Sequence, residues 1–144
     1  MYAVRQADKL AVRLEIGEEV HASLLAACRS HGVAGGFVHS GIGMLSDPEL
    51  GFFVGKGRYE KQVFPGRHEL LNLSGNVSLK DGELMAHLHA MLADEEYRVF
   101  GGHLFTAAVG MTLEMEVSIV DAPVRMYRVI DPESGLPGLV IEQG

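Results

Sequence analysis

Residues 84–105 read LMAHLHAMLADEEYRVFGGHLF. Two largely apolar runs flank the short acidic segment at Asp94 and Glu95, which is the pattern of two strands joined by a turn. Side chains of a strand alternate between its faces, so His87 and His89, two residues apart, point to the same side. If the turn centres near Glu95–Glu96, positions 88–89 lie roughly opposite 102–103. That register brings His103 within a residue or so of the pair. Gly101 and Gly102 carry no side chains and leave space beside it.

Three imidazoles on adjacent strands are the donor set of a zinc ion with an open fourth position. Neutral nitrogen donors leave the ion its full charge, so it can acidify a bound water or polarise a carbonyl. The sequence has seven histidines in all. His21 and His31 fall on the polar edge of a helix and read as solvated. His39, in FVHSGIG, and His68, in GRHELL, read as packing residues.

Outward from this pair, residues 2–6 and 9–16 read as strands, the second alternating Leu10, Val12, Leu14 and Ile16 against polar neighbours. Gly17 then opens EEVHASLLAACRSHG, whose apolar residues at 20, 24, 27 and 28 have helical spacing. Glu18 and Glu19 suit the N-terminal end of that helix, Arg29 and His31 its C-terminal end, and Gly32 a left-handed cap. From Val33 to Val120 the text is β-like, broken by Asp47-Pro48, Gly55 to Gly57, Pro65-Gly66, Asp81-Gly82 and Asp94-Glu95. Asp81-Gly82 between two apolar runs signals a tight hairpin. The expected fold is α+β: a mostly antiparallel β-sheet wrapped around one main helix, in a single domain. Residues 1–128 form the domain in this reading. Residues 129–144, with Leu136, Leu139, Val140 and Ile141, form a tail that docks on it or on a neighbouring subunit.

A chain of 144 residues, 47% hydrophobic and 22% charged, has the make-up of one globular domain. Its net charge of −7 argues against direct nucleic-acid binding, which needs a basic face to displace counterions. Cys28 is the one cysteine, so no internal disulfide is possible and the thiol reads as a small buried hydrophobe. The N-terminal stretch carries Arg5, Asp8, Lys9 and Arg13 within it, and no apolar run is long enough to span a bilayer. The expected address is the cytoplasm, with no membrane contact.

SGIGMLSDPELGFF, PGRHELLNLSGNVSLKDGE, HLHAMLAD and YRVFGGHLF together resemble the domain family conserved in plants and prokaryotes, over roughly residues 3–121. The resemblance implies an antiparallel sheet around one helix, a homotrimer, and a fold similar to that of acetolactate decarboxylase, a zinc enzyme. It places the metal ligands of prokaryotic members at His87, His89 and His103. It also places a partner-contact segment of plant members at Gly66 to Leu71. The family is often labelled DNA-binding, but plant members owe that to a separate Arg-Gly-Arg-Pro hook that this chain lacks.

Two functions follow from these residues. One is a zinc site for a small-molecule ligand or substrate, with Glu49 or Glu69 as nearby carboxylates and Arg67 or Arg98 as counter-charge for an anion. The alternative is a DNA-binding or transcription-associated protein-interaction module without catalytic activity. In the trimeric reading, Leu113, Met115 and Val117 are outer positions that an interface covers.

Overall fold

The computed structural model describes residues 1–144. The strands are β1 (Tyr2–Gln6), β2 (Lys9–Glu15), β3 (Gly36–Gly55), β4 (Arg58–Val63), β5 (Arg67–Lys80), β6 (Glu83–Ala93), β7 (Val99–Ile119), β8 (Val124–Ile130) and β9 (Pro137–Gln143). One helix, α1 (Val20–Ser30), interrupts them. All nine strands belong to one sheet with the path β1-β2-β7-β3-β5-β8-β9. β4 joins β3, and β6 pairs with both β5 and β7. β3, β5, β6 and β7 therefore form a closed circuit of pairings. Every pairing is antiparallel except the single parallel bridge Leu79–Tyr127 between β5 and β8.

The α+β expectation needs correcting. The chain is 69% strand and 8% helix, its one helix is short, and the sheet is mixed rather than wrapped around a main helix. The physical reason lies in the core. Only Val20, Leu24, Ala27 and Cys28 of the buried apolar cluster come from α1, and nearly all the rest comes from strands. The helix plugs the sheet and does not organise it. Its start is nonetheless where the acidic pair placed it, since the Glu19 carboxylate accepts a hydrogen bond from the Ala22 N–H at 2.7 Å.

A second correction concerns β7. Leu113, Met115 and Val117 are buried within the chain, registered against Leu14, Val12 and Leu10 of β2. They need no neighbouring subunit to cover them. The exposed apolar residues are others, among them Ile42, Phe52 and Met111.

β3 and β7 are long strands, and register shifts break their pairing at four places. Such irregularities bend a strand and let it serve two neighbours in succession. β7 thus pairs with β6 through residues 99–103 and with β2 through residues 112–118. No helix is long and apolar enough to cross a membrane.

Candidate metal centre

The hairpin from β6 to β7 positions all three histidines. Asp94 holds its turn: one carboxylate oxygen accepts the backbone N–H groups of Glu96 at 3.0 Å and Arg98 at 2.9 Å. The resulting register sets His89 directly opposite His103. On the other side of β6, Asn76 of β5 stands opposite His87 and Ser74 opposite His89. Between them Gly75 has φ +155°, and a Cβ there would come within 1.9 Å of the His87 carbonyl oxygen. Only glycine lets β5 lie this close to the strand that presents the pair.

The ligand atoms of His87, His89 and His103 lie within 4.8 Å of one another. The Nε2 atoms of His87 and His89 are 3.2 Å apart. Nitrogens bound to one tetrahedral zinc at about 2.0–2.1 Å stand about 3.3–3.4 Å apart, so this pair already has the spacing of two ligands. Nδ1 of His103 is buried and has no hydrogen-bond partner. The donor set, its spacing and this unsatisfied nitrogen all fit a bound transition ion.

Burial pushes the His87 imidazole down to about 4, with Arg128 and then His89 and His21 adding to the effect. His103 is held at about 4, again mainly by burial and then by His87, His89, His21 and Lys61. Both rings are therefore neutral at pH 7, the protonation state in which imidazole binds a metal.

An aromatic wall stands beside His103. The Tyr59 and Phe105 rings lie 4.9 and 4.5 Å from its ring, centre to centre. Gly51 of β3 is registered opposite His103 and makes room for them. A Cβ at Gly51 would meet Phe105 at 2.4 Å and Tyr59 at 3.1 Å. Lys61, opposite Gly51 on β4, places its Nζ 3.6 Å over the Phe105 ring and 3.3 Å from a Glu49 oxygen.

Glu49 is thus engaged by Lys61 and touches no histidine of the cluster. Glu69 is registered opposite Ala93, four residues along β6 from His89 and so about 13 Å away at strand spacing. Arg67 lies in a surface depression with His68, Asp94, Glu96 and Arg98. The structure does not bring Arg67, Glu69 or Arg98 to the histidines.

Sequence reasoning missed four neighbours of the site: Tyr59, Lys61, Phe105 and His21. The first three precede or follow the key hairpin on strands whose bulges hide the register. His21 was expected in solvent. Its side chain is only 21% exposed, and its Nδ1 lies 3.6 Å from a Glu19 oxygen with no hydrogen bond of its own. Burial pushes its pKa down. Its position in the first helical turn places it at the sheet, where α1 meets β6 and β7.

A small β-rich domain that gathers three histidines on one hairpin is the class of protein that this fold and site define. The sequence pattern of the Plants and Prokaryotes Conserved (PCC) domain matches residues 1–122, and the chain belongs to that family. Among solved structures it is similar to a plant- and prokaryote-conserved protein of Pyrococcus horikoshii. That match has 32% identity and TM-score 0.82, covering 94% of this chain and 91% of that one. A proposed DNA-binding protein of Bacteroides thetaiotaomicron superposes with TM-score 0.88 at 27% identity, covering 96% of each chain. A metal-containing protein of Archaeoglobus fulgidus matches with TM-score 0.82 at 26% identity, covering 93% of this chain and 94% of that one. The chain is also 32% identical over 132 residues to the bifunctional protein GlmU of a Synechococcus strain. It spans 20% of that relative's length.

Proposed function

We propose that this protein holds one zinc ion on His87, His89 and His103 and binds a small molecule at the open position of that ion. The observation that carries the reading is the mutual approach of the three ligand atoms, within 4.8 Å, on a hairpin whose turn and flanking glycine fix it. A bound ion would supply a Lewis-acidic position facing the Tyr59–Phe105 wall. The metal-containing relative from Archaeoglobus fulgidus supports a metal here. The fold similarity to acetolactate decarboxylase that the family resemblance implies guides the choice of small acids as trial ligands and assigns no residue a role.

The test is metal content by plasma mass spectrometry on untagged wild type and His103→Ala. About one zinc per chain in the wild type, lost in the variant, is the expected result. Wild-type protein without metal, even after zinc is supplied and the excess removed, refutes the reading and favours the protein-interaction module. The DNA-binding reading draws on the name of the Bacteroides relative, and the net charge of −7 weighs against direct contact with phosphates.

The assembly we propose is a cytoplasmic homotrimer. Exposed Ile42, Phe52 and Met111, at 53%, 76% and 67%, are apolar surface that subunit contact would cover. Residues 129–144 are available for the same purpose. Light scattering at micromolar concentration is expected to return three times the chain mass of 15.6 kDa. A mass near one chain contradicts the trimer.

A further inference from the structure

We propose that Arg128 is the counter-charge of a small carboxylate ligand at the three-histidine centre, an inference that rests on that centre being the ligand site. Arg128 belongs to β8, beyond the family-matched residues 1–122. β8 and β9 form a hairpin that runs from Val124–Gln143 to Ile130–Pro137, and β8 touches β5 at Leu79. This hairpin lays Arg128 over β5, where the residue is 8% exposed.

All its hydrogen-bond acceptors are neutral. Nε donates to Ser78 Oγ at 3.0 Å, Nη2 to Asn76 Oδ1 at 2.6 Å, and Nη1 to the Pro137 carbonyl at 2.7 Å. None of the ion pairs of the protein includes Arg128. Arg5, Arg98 and Arg125 each have a carboxylate partner, although all three are far more accessible to water. In a chain with 19 acidic and 12 basic residues, the most buried cation is left without an acid. A buried charge without a counter-charge is costly to keep. A guanidinium has five N–H donors, so three used here leave one on each terminal nitrogen.

The place of this cation points to what answers it. Asn76, which holds Nη2, is registered directly opposite His87. The guanidinium therefore lies on the face of β5 that borders His87, at the edge of the histidine cluster. On the far side Lys61 sits over the Phe105 ring that flanks His103, but Lys61 already has Glu49. No carboxylate is hydrogen-bonded or ion-paired to His87, His89 or His103. A divalent ion would add further positive charge, so a neutral ligand would leave Arg128 unanswered. A carboxylate matches the planar fork of the guanidinium and supplies the missing charge.

Arg128 also borders a cavity of about 580 Å³ between β8 and residues 79–82 and 120–122. The other charged groups there have partners: Asp121 has Arg5, Asp81 has Lys80 and Arg125 has Glu142. The test must therefore read the histidine side directly.

Malonate serves as the probe, titrated into the full chain with and without zinc. Calorimetry gives affinity, and NMR follows the Arg128 Nε–H and the three imidazoles. Zinc-loaded wild type is expected to bind malonate about tenfold more tightly than Arg128→Gln, with Arg128→Lys between them. Zinc content is expected to be equal in all three. In unaltered wild type, malonate shifts both the Arg128 and imidazole resonances, a result that stands even if a variant fails to fold. Equal affinities overturn the proposal and make Arg128 a clamp that fastens β8 to β5. So does a shift at Arg128 without one at the imidazoles, or no binding at millimolar malonate. If the wild type takes up no zinc, the metal reading fails separately. The metal-free titration then judges Arg128 by the same affinity ratio.

Discussion

Two regions of this molecule are rich in groups that can carry charge, and they handle charge in opposite ways. At the turn between β6 and β7, Arg98 bonds both Asp94 and Glu96, in a neighbourhood open to water. A few residues along the same two strands, burial pushes the half-buried rings of His87 and His103 to neutrality, and no carboxylate is hydrogen-bonded or ion-paired to them. At the turn itself Asp94, Glu96 and Arg98 answer one another. The second region keeps His103 Nδ1 without a hydrogen-bond partner and a buried guanidinium without a counter-charge. Unsatisfied polar groups on a rigid strand pair mark the place where a protein expects a ligand.

The largest effect should come from closing the gap behind the histidine pair. Gly75→Ala forces a Cβ onto the His87 carbonyl, and backbone atoms cannot give way as a flexible side chain can. We expect a loss of about 3 kcal/mol or more in stability, or failure to fold, measured by denaturant unfolding. Near-wild-type unfolding with full zinc uptake would show that β5 does not constrain the site.

Gly51→Ala is a milder version on the other flank. The Phe105 ring, rather than backbone, must move, so a loss of about 1–3 kcal/mol is expected, with the aromatic wall displaced from His103. Unchanged stability and unchanged Phe105 ring resonances would count against the packing described.

Acid distinguishes the regions next. An imidazole whose pKa is depressed in the fold takes up a proton more readily once unfolded. Metal-free protein is therefore expected to keep this contribution above the ordinary value of 6.5, and to lose it as pH falls towards about 4. Solvent screening of the half-buried rings makes the effect smaller than the shifts suggest. The loss should diminish in His87→Ala and persist in Arg98→Ala, followed by thermal melting from pH 7 to pH 4.

The smallest effect belongs to the charged turn. Arg98→Ala should leave the melting temperature within about two degrees of wild type and zinc uptake unchanged. A drop in zinc uptake would mean that the turn and the histidines form one unit, and the contrast between the regions would fail.

Much of the centre was legible in the sequence because alternation and a short turn are local. His87, His89 and the approach of His103 needed only period-two geometry and the position of Asp94. The helix start at Glu19 and the fully buried Cys28 were legible for the same reason. What lay beyond reach was set by distant pairing. The weight given to the helix was wrong because its apolar stripe says nothing of how many strands supply the core. Leu113, Met115 and Val117 read as outer positions, whereas pairing with β2, about a hundred residues earlier, sets them beside Leu14, Val12 and Leu10 in the buried core. Glu49, Arg67 and Glu69 were chosen by residue type alone; Glu49 lies near the aromatic wall but is bound by Lys61, and the register of β5 sets Arg67 and Glu69 away from the three histidines. Arg128 gave no local sign, since only the return of the C-terminal hairpin over Ser78 and Asn76 buries it.

The proposed centre is an ion held by His87, His89 and His103 with one position left for a ligand. Zinc-edge X-ray absorption on the zinc-loaded wild type tests it most directly. Three imidazole nitrogens at about 2.0–2.1 Å are expected, with one exchangeable oxygen ligand that added malonate replaces. A site with fewer than three imidazoles, or one closed by a fourth protein ligand and indifferent to malonate, would contradict it.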